Sequence, residues 1–395
     1  PTCGSSHDSV LGANQMFSHN RVRGCAILVV AGLLLVTSAC DKTAQPPHST
    51  ILTEPATATS QMLPITDGTA AATRVNPETN TPMPVWSPPG HIVFVSSGSL
   101  FIVKANCAQG PGGCEQETVR LINPQAGLVV DALGGLAASP DGHKIAFVSR
   151  RDDDASPRAL RENYVLDVGV CMSSASGCSK EQLVRLAETQ AGVAFDDFAP
   201  AWSPQGDKII FSREDVDTIS PPMLYEVQPD GSREKPVFDG FVQDAAMLDS
   251  SWSPDGTQIV VAMSVQNTLT SIAVVNMETG MVTELARPHA GADDRDYRYP
   301  RWSPQGDKII FETSSLTVTV GYSINVDGSQ LTRLPIQNAL HGFTWSPDGL
   351  RIAYVGFGSL RPDQMQGSVF LANLDGSQQR QLTDQQPVQN AIWIP

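Results

Sequence analysis

The sequence predicts an all-β protein, a β-propeller of four-stranded antiparallel blades, from three observations. A tryptophan-centred phrase recurs along the chain, and its markers are separated by 52, 64, 50, 50, 43 and 48 residues. This spacing is typical of one four-stranded propeller blade. Each copy combines a tight turn with an apolar run, and further apolar runs complete every unit. The markers are Trp86, Ala138, Trp202, Trp252, Trp302, Trp345 and Trp393.

The first element of each unit is a reverse turn followed by a strand. The decapeptide WSPQGDKIIF occurs unchanged at 202–211 and 302–311. In Pro-Gln-Gly or Pro-Asp-Gly the proline fixes φ and the glycine supplies a positive φ, so the chain reverses. The KIIF run that follows has the pattern of a half-buried strand. Because the decapeptide pairs no nucleophile with a base, we interpret it as architecture and not as a duplicated catalytic site.

Two more apolar runs follow in each unit, and the strand that closes the unit ends in the next marker. The third-strand runs are LFIVKA, YVLDV, MLYEV, SIAVVN, YSINV and VFLANL. The runs predicted as fourth strands are TVRLI, LVRLA, KPVF, VTELA, LTRLP and RQLT. Each unit therefore supplies the strands of one blade.

The repeat of WSPDG and a strand resembles the WD-like repeat of the TolB family, found also in propeller domains of prolyl oligopeptidase-type peptidases, tricorn protease and oligogalacturonate lyase. The resemblance covers residues 83–395 and implies six blades, with the Trp393 strand completing the first. Trp86 is then either a degenerate copy or part of a seventh, incomplete blade with QMLPIT (61–66) as its outer strand. TolB itself carries a folded α/β domain before its propeller, which the segment before residue 83 does not resemble.

The N-terminal region predicts export. Residues 1–15 precede the first methionine and are interpreted as upstream sequence, and residues 16–39 as a signal peptide. Two arginines in this segment precede the apolar run CAILVVAGLLLV (25–36). Such a run is too short to span a bilayer and is typical of an export signal.

The small residues Thr-Ser-Ala directly before Cys40 resemble a bacterial lipobox. The resemblance implies that Cys40 is lipidated and that the exported chain is anchored to the cell membrane, facing the periplasm or the exterior. An ordinary secretory signal with an incidental cysteine is the alternative. Residues 40–82 are rich in Thr, Pro and Ala without an apolar period, which predicts a flexible tether.

Four of the seven cysteines fall in the predicted propeller as two C-x6-C pairs, Cys107 with Cys114 and Cys171 with Cys178. Both pairs lie between the third and fourth predicted strands of consecutive blades. An exported compartment lets disulfides persist, so we predict one disulfide in each of these equivalent hairpins. A zinc site is the alternative, which the spacing and the lack of histidine in both loops disfavour.

The net charge of −15 argues against binding to nucleic acid or to an anionic lipid surface. Many acidic residues fall in the predicted connections from each fourth strand to the next blade, which gather around the central channel on one face. The acidic insert at 150–163 is predicted on the same face. This channel mouth could receive a basic loop of a partner, hold Ca²⁺, or simply be a solvated face. The candidate residues are Asp131, Asp196, Asp197, Asp244, Asp249, Asp293, Asp294, Asp296, His289 and His341.

Two classes of function fit the sequence. The first is a monomeric binding or scaffold module for an envelope protein or glycan; in TolB a lipoprotein partner docks at the channel mouth. The second is an enzyme of the polysaccharide lyase or hydrolase type that uses the channel. No G-x-S-x-G motif occurs, since GYSIN (321–325) ends in Asn and lies on a predicted strand. His289 and His341 lie on the channel side, whereas His91 and His143 are predicted at opposite-face turns. We therefore predict no catalytic residue and no cofactor other than Ca²⁺.

Overall fold

The computed structural model of the chain describes residues 90–107, 114, 117–123, 126–131, 135–150, 160–187, 194–218, 220–238, 245–265, 268–288, 296–314, 319–357, 367–383 and 387–395. The predicted signal peptide, Cys40, the predicted tether, QMLPIT (61–66) and Trp86 lie outside these residues. In the described part of the chain no helix has both the length and the apolar character that a membrane span requires.

The regular secondary structure of the described chain is almost entirely β-strand, with one short helix, α1 (Val168–Ser173), and a 3-10 turn at Lys180–Gln182. In chain order the strands are β1 (His91–Ser96), β2 (Ser99–Lys104), β3 (Val119–Arg120), β4 (Val129–Val130), β5 (Leu136–Ala138), β6 (Lys144–Arg150), β7 (Arg161–Asp167), β8 (Val184–Arg185), β9 (Phe195–Trp202), β10 (Ile209–Asp215), β11 (Met223–Val227), β12 (Lys235–Pro236), β13 (Ala245–Trp252), β14 (Gln258–Val265), β15 (Ser271–Asn276), β16 (Val282–Ala286), β17 (Asp296–Trp302), β18 (Lys308–Ser314), β19 (Val320–Asn325), β20 (Thr332–Arg333), β21 (Ala339–Trp345), β22 (Arg351–Phe357), β23 (Gly367–Asn373), β24 (Arg380–Gln381) and β25 (Val388–Ile394).

These strands form six antiparallel sheets, and the fold is a six-bladed β-propeller, as predicted. Blade 1 has the strand order β25-β1-β2-β3. In blade 2 the innermost strand is split into β4 and β5, which both pair with β6, and β7 and β8 follow outward. Blades 3 to 6 comprise β9–β12, β13–β16, β17–β20 and β21–β24. Most fourth strands are only two residues long, shorter than the apolar runs suggest.

Blade 1 closes the ring by joining the two ends of the propeller. The C-terminal strand β25 pairs with β1, with Trp393 opposite Ile92. The prediction that the Trp393 strand completes the first blade is therefore confirmed. Because β25 occupies the innermost position, the described part of blade 1 has its four strands without Trp86.

The repeated KIIF run is buried on both of its faces. Ile309 and Phe311 pack with Val260 and Ala262 of blade 4, whereas Ile310 packs with Ile352 of blade 6. All three side chains of the run are fully buried. Side chains alternate along a strand, so a strand sandwiched between two blades must be apolar at successive positions. This requirement explains why the run recurs.

The turn before each such strand has the predicted geometry. Gly206 and Gly306 have φ values of 72° and 78°, in the left-handed region that glycine adopts without strain. The preceding serine closes the turn, because Ser203 Oγ donates to Asp207 Oδ1 at 2.7 Å and Ser303 Oγ donates to Asp307 Oδ1 at 2.8 Å. The WSPQGD phrase therefore forms a reverse turn closed by its own serine and aspartate side chains.

Candidate functional site at the central channel

The strand directions give the propeller two unlike faces. One side of the propeller carries the connections between the second and third strands of each blade, and also those from the fourth strand to the next blade. We call this side the upper face. The lower face carries the WSPDG-type turns, including the turn at His143, together with the loops between the third and fourth strands. Ser323 of GYSIN lies within β19, so that motif is on a strand, as predicted.

The predicted acidic residues of the upper face lie in strands more often than in connections. Asp196 and Asp197 belong to β9, Asp249 to β13 and Asp296 to β17, while Asp131 directly follows β4. The inner strands extend beyond their apolar part, with irregularities in the pairing of β9 and β17 that contain Ala199 and Tyr299. Four other predicted residues lie outside the described ranges: Asp244, His289, Asp293 and Asp294.

Four of these carboxylates are ion-paired with arginine, and we call this set the rim pairs. Asp131 accepts a hydrogen bond from Arg150 at 3.1 Å, Asp196 from Arg161 at 3.0 Å, Asp197 from Arg213 at 2.7 Å and Asp249 from Arg298 at 2.7 Å. Two of the rim pairs, Asp196 with Arg161 and Asp249 with Arg298, join neighbouring blades. The negative charges that the sequence places at the channel mouth are therefore largely compensated at these positions.

The pair of Asp197 with Arg213 is the most enclosed of the four. Both side chains are 5% exposed, and Arg213 also binds Glu234. The guanidinium stacks over the rings of Phe195 and Tyr225 at 4.6 and 4.8 Å from their centroids. Burial acts to lower the pKa of Arg213, but the hydrogen bonds and charges of Asp197 and Glu234 outweigh it and raise that pKa. Arg213 therefore stays charged and holds Asp197 and Glu234 together in blade 3.

The carboxylates that the structure describes do not assemble into a cation site. Asp296 accepts a hydrogen bond from the backbone N–H of Thr270 at 2.9 Å, and the rim pairs occupy the others. Within the described ranges no three His, Cys, Asp or Glu side chains are close enough together to hold a metal ion. Of the residues predicted to hold Ca²⁺, Asp244, Asp293 and Asp294 lie outside these ranges, so the Ca²⁺ site stays a prediction.

A ring of six residues lines the channel, one from each blade, each directly before a marker position. Five members are uncharged and mostly small, and Arg301 is the single charged one. The ring consists of Ala137, Ala201, Ser251, Arg301, Thr344 and Ile392. Arg301 Nη1 donates to the carbonyl of Pro300 at 3.1 Å, and no carboxylate of the described chain forms an ion pair with it.

Above this ring lies a cavity of about 170 Å³, which we call the channel cavity. Blades 5 and 6 supply most of its wall, and blades 1 and 2 close it through Asn390 and Gly135. Arg301 lines this cavity and also a second one, of about 280 Å³, on the lower side of the ring. Arg301 therefore contributes to the walls of both cavities.

Glu312 is the acidic residue of the channel cavity and is only 3% exposed. Its Oε2 accepts a hydrogen bond from the backbone N–H of Gly342 on β21 at 2.9 Å, which ties blade 5 to blade 6. Burial raises the pKa of Glu312 to about 8 despite these backbone donors. At neutral pH the side chain is therefore mainly protonated and neutral.

The other titratable groups of the channel cavity are also neutral or paired. Burial lowers the pKa of His341 to about 4, so its imidazole is uncharged at neutral pH. Burial and the nearby Asp249 raise the pKa of Tyr299 to about 12. Since Asp249 and Arg298 compensate each other, Arg301 is the uncompensated charge among the described residues that line the cavity at neutral pH.

Tyr299 borders the channel cavity with an unusual backbone. Its φ of 53° lies in the left-handed region, which non-glycine residues seldom adopt. Its N–H donates to Asp249 Oδ2 at 3.3 Å, so the same carboxylate holds Arg298 and this strained residue. Ala199, the equivalent residue of blade 3, has a φ of 54°, so the conformation belongs to the irregularity that β9 and β17 share.

No family model matches the chain, and no curated protein matches it significantly. Solved structures do match. TolB from Acinetobacter baumannii superposes with a TM-score of 0.55 over 78% of this chain and 67% of that one, at 16% sequence identity. The nidogen/laminin complex gives a TM-score of 0.53 over 77% of this chain and 98% of that one, at 11% identity. A putative TolB from Agrobacterium tumefaciens gives 0.48 over 78% and 99%, at 16% identity. The fold is that of a TolB-like β-propeller.

In this TolB-like propeller, His341 was predicted from the sequence as a channel residue, whereas Arg301 and Glu312 were not. A signal for both was present, because the two identical decapeptides have different neighbours. Ala201 and Ser212 flank the first copy, whereas Arg301 and Glu312 flank the second. Ser212 Oγ donates to the Leu248 carbonyl of the next blade at 2.9 Å, so Glu312 stands where blade 3 has a neutral contact. The differences beside a copied structural unit mark the channel residues.

The two disulfides lie on the lower face of this TolB-like propeller, in the predicted equivalent connections. The Cα atoms of Cys107 and Cys114 are 5.3 Å apart, and those of Cys171 and Cys178 are 4.6 Å apart. Arg380 of blade 6 donates to the Cys107 carbonyl. The Cys178 N–H donates to the Leu121 carbonyl of blade 1 at 2.8 Å. Each disulfide-closed loop therefore contacts the preceding blade. The two loops lie at the contacts of blade 1 with blade 6 and with blade 2.

Proposed function

We propose that this chain is an exported envelope protein, anchored to the cell membrane through lipidated Cys40, whose propeller binds a protein or glycan partner at its upper face. The observation that carries the proposal is the set of rim pairs. They tie Asp196 to Arg161 and Asp249 to Arg298 between blades, and so hold the strands around the channel mouth in place. A surface fixed before binding loses little conformational entropy when a partner arrives.

The comparisons support this reading only at the level of the fold. One matched structure is a complex of nidogen with laminin, and that description applies to those proteins. Identities of 11 to 16% carry no residue-level correspondence to this chain. The partner of this chain must therefore be found by experiment.

Two exposed leucines on opposite faces provide a matched test of the upper face. Leu269 lies between β14 and β15 on the upper face and is 43% exposed, and Leu350 lies in a lower-face turn and is 67% exposed. A photo-crosslinking amino acid is placed at either position in the full chain, expressed in its host. We expect covalent adducts with an envelope protein from position 269 and not from position 350.

Adducts from position 350 alone, or equally from both positions, would contradict upper-face binding. If neither position yields a protein adduct, sedimentation of the full chain with envelope polysaccharide tests the glycan partner. The variant Asp196→Asn is expected to weaken adduct formation at 269, because it removes the charge that holds Arg161. Asp348→Asn on the lower face is the control, since its pair with Arg351 lies in the turn of blade 6.

The anchor is tested separately through Cys40. We expect the full chain to incorporate a labelled fatty acid and to remain with membranes, and Cys40→Ser to lose both properties. Label that persists in Cys40→Ser would contradict the proposed lipidation site. Release from membranes leaves the upper-face experiment unaffected, so the two parts of the proposal fail independently.

The alternative function, an enzyme that uses the channel, has one observation in its favour. Glu312 and His341 line the same channel cavity. His289, the other histidine predicted on this side, lies outside the described residues. Turnover of a glycan or peptide that is lost in both Glu312→Gln and His341→Ala would favour the enzyme over the binding module.

A further inference from the structure

We propose that the central channel is a binding site for a carboxylate group and that Arg301 is the residue that holds it. This site goes beyond the upper-face partner, because its residues lie inside the channel. The ligand is defined by its chemistry: a small organic molecule with at least one carboxylate, or the carboxylate end of a peptide chain.

The ring that lines the channel carries a single charge. Five blades place Ala137, Ala201, Ser251, Thr344 and Ile392 there, and only blade 5 places a cation. The identical WSPQGDKIIF copies fold in the same way after Ala201 and after Arg301. Arg301 is therefore not needed to build the blade, and its presence calls for another explanation.

Arg301 forms no ion pair with a carboxylate of the described chain. A partly buried guanidinium is costly unless a negative charge accompanies it. Asp249 is committed to Arg298 at 2.7 Å, and Glu312 accepts the Gly342 N–H at 2.9 Å. Burial lowers the pKa of Arg301, although the charge of Asp249 and the nearby Glu312 act to raise it. An anion that enters the channel would supply the missing charge.

The side chains that line the cavity can present hydrogen-bond donors to a carboxylate. A guanidinium presents parallel N–H donors in a fork that matches the two oxygens of a carboxylate. Glu312 and Tyr299 line the same cavity and each carries an O–H at neutral pH, so both can act as donors toward an anion. A volume of about 170 Å³ admits a molecule of several heavy atoms and excludes a folded chain.

The test uses the full chain and four probes: sodium acetate, disodium succinate, sodium chloride and sodium phosphate. Binding is measured by isothermal titration calorimetry and by the shift in melting temperature at pH 7 and constant ionic strength. We expect succinate or acetate to bind and to raise the melting temperature. Chloride is expected to bind at least tenfold more weakly, because it cannot accept from both donors of the fork. Phosphate can, and it is therefore the competing anion of the test.

The matched variants are Arg301→Ala, which copies the ring residue Ala201 of blade 3, and Arg287→Ala, which removes an arginine that is 61% exposed and belongs neither to the ring nor to the rim pairs. We expect the first to weaken carboxylate binding at least tenfold and the second to leave it unchanged. Because Ala201 already occupies this position, Arg301→Ala is expected to fold. If it does not, Arg301→Lys keeps the charge, loses the fork, and is expected to weaken binding severalfold.

A short peptide with a free C-terminus, compared with the same peptide amidated, separates the two sources of the carboxylate. Stronger binding of the free peptide than of succinate indicates a chain end, and the reverse indicates a small molecule. The proposal is overturned if no carboxylate probe binds, if phosphate binds as tightly as succinate, or if Arg301→Ala binds like the wild type. Crosslinking from position 269 does not depend on Arg301, so failure here leaves the upper-face proposal standing.

Discussion

Arg298 donates its Nε–H to Asp249 Oδ2 across 2.7 Å and so joins the inner strands of blades 5 and 4. Asp249 is 2% exposed and accepts in addition the N–H of Tyr299, whose backbone is left-handed. One carboxylate therefore fixes an ion pair, a strained residue and a blade interface. These three features meet at the wall of the channel cavity.

Replacing Asp249 by Ala is expected to lower the free energy of unfolding by about 3 kcal/mol, because it leaves the Arg298 guanidinium and the Tyr299 N–H without their acceptor. Glu284→Ala removes the acid of an exposed pair with Arg287 and is expected to cost less than about 1 kcal/mol. Urea unfolding of both variants measures the difference. Equal losses in the two would show that the Asp249 pair adds nothing beyond a surface contact.

Glu312 is expected to make stability depend on pH. Its pKa is raised to about 8 in the folded chain, from an ordinary value of 4.5, so the folded state holds the proton more tightly than the unfolded state. The contribution of Glu312 to the free energy of unfolding is fully present below pH 4.5 and is lost as pH rises through about 8, with a slope near 1.4 kcal/mol per pH unit.

His341 acts in the opposite direction over a lower range. Its pKa is lowered to about 4 from 6.5, so its contribution is present above pH 6.5 and is lost as pH falls through about 4. Between pH 6.5 and 8 the effect of Glu312 is therefore isolated from that of His341. We expect Glu312→Gln to flatten the fall in melting temperature over this window, and a slope unchanged from the wild type would contradict the assignment.

Reduction of the Cys171–Cys178 disulfide is expected to destabilise the propeller by about 2 kcal/mol, since the bond closes a short loop of sequence separation 7. The double variant Cys171→Ser, Cys178→Ser should lower the melting temperature of the oxidised protein. Dithiothreitol should then lower it further through the remaining bond between Cys107 and Cys114. A melting temperature that is insensitive to both changes would show that the stapled loops do not support the closing blade.

Sequence patterns sufficed for the blades because the constraints on them are local and repeated. The turn needs proline and glycine at fixed positions, and the KIIF strand must be apolar on both faces because blades cover both. The Trp393 strand was assigned to blade 1 on the same basis, and the pairing of β25 with β1 agrees. The positions of the four propeller cysteines between third and fourth strands followed from the same register.

The candidate site was predicted only in part. The acidic residues were assigned to the upper face from the direction of the strands, but their arginine partners were not foreseen. Asp249 and Arg298 are 49 residues apart, and only the packing of two blades brings them together. From the sequence these acids were interpreted without ion-pair partners, whereas four of those in the described ranges are paired with arginine.

The fold, the order of strands in each blade and the faces of the described loops could be predicted from the sequence, because turn chemistry and apolar alternation act over a few residues. Which charges are compensated depends on the packing of the blades. Arg301 and Glu312 flank the second copy of the decapeptide and differ from their counterparts Ala201 and Ser212, but the sequence does not show that they are buried. Their environment arises when six blades close around one axis, since burial and the distance to other charges are properties of the assembled ring.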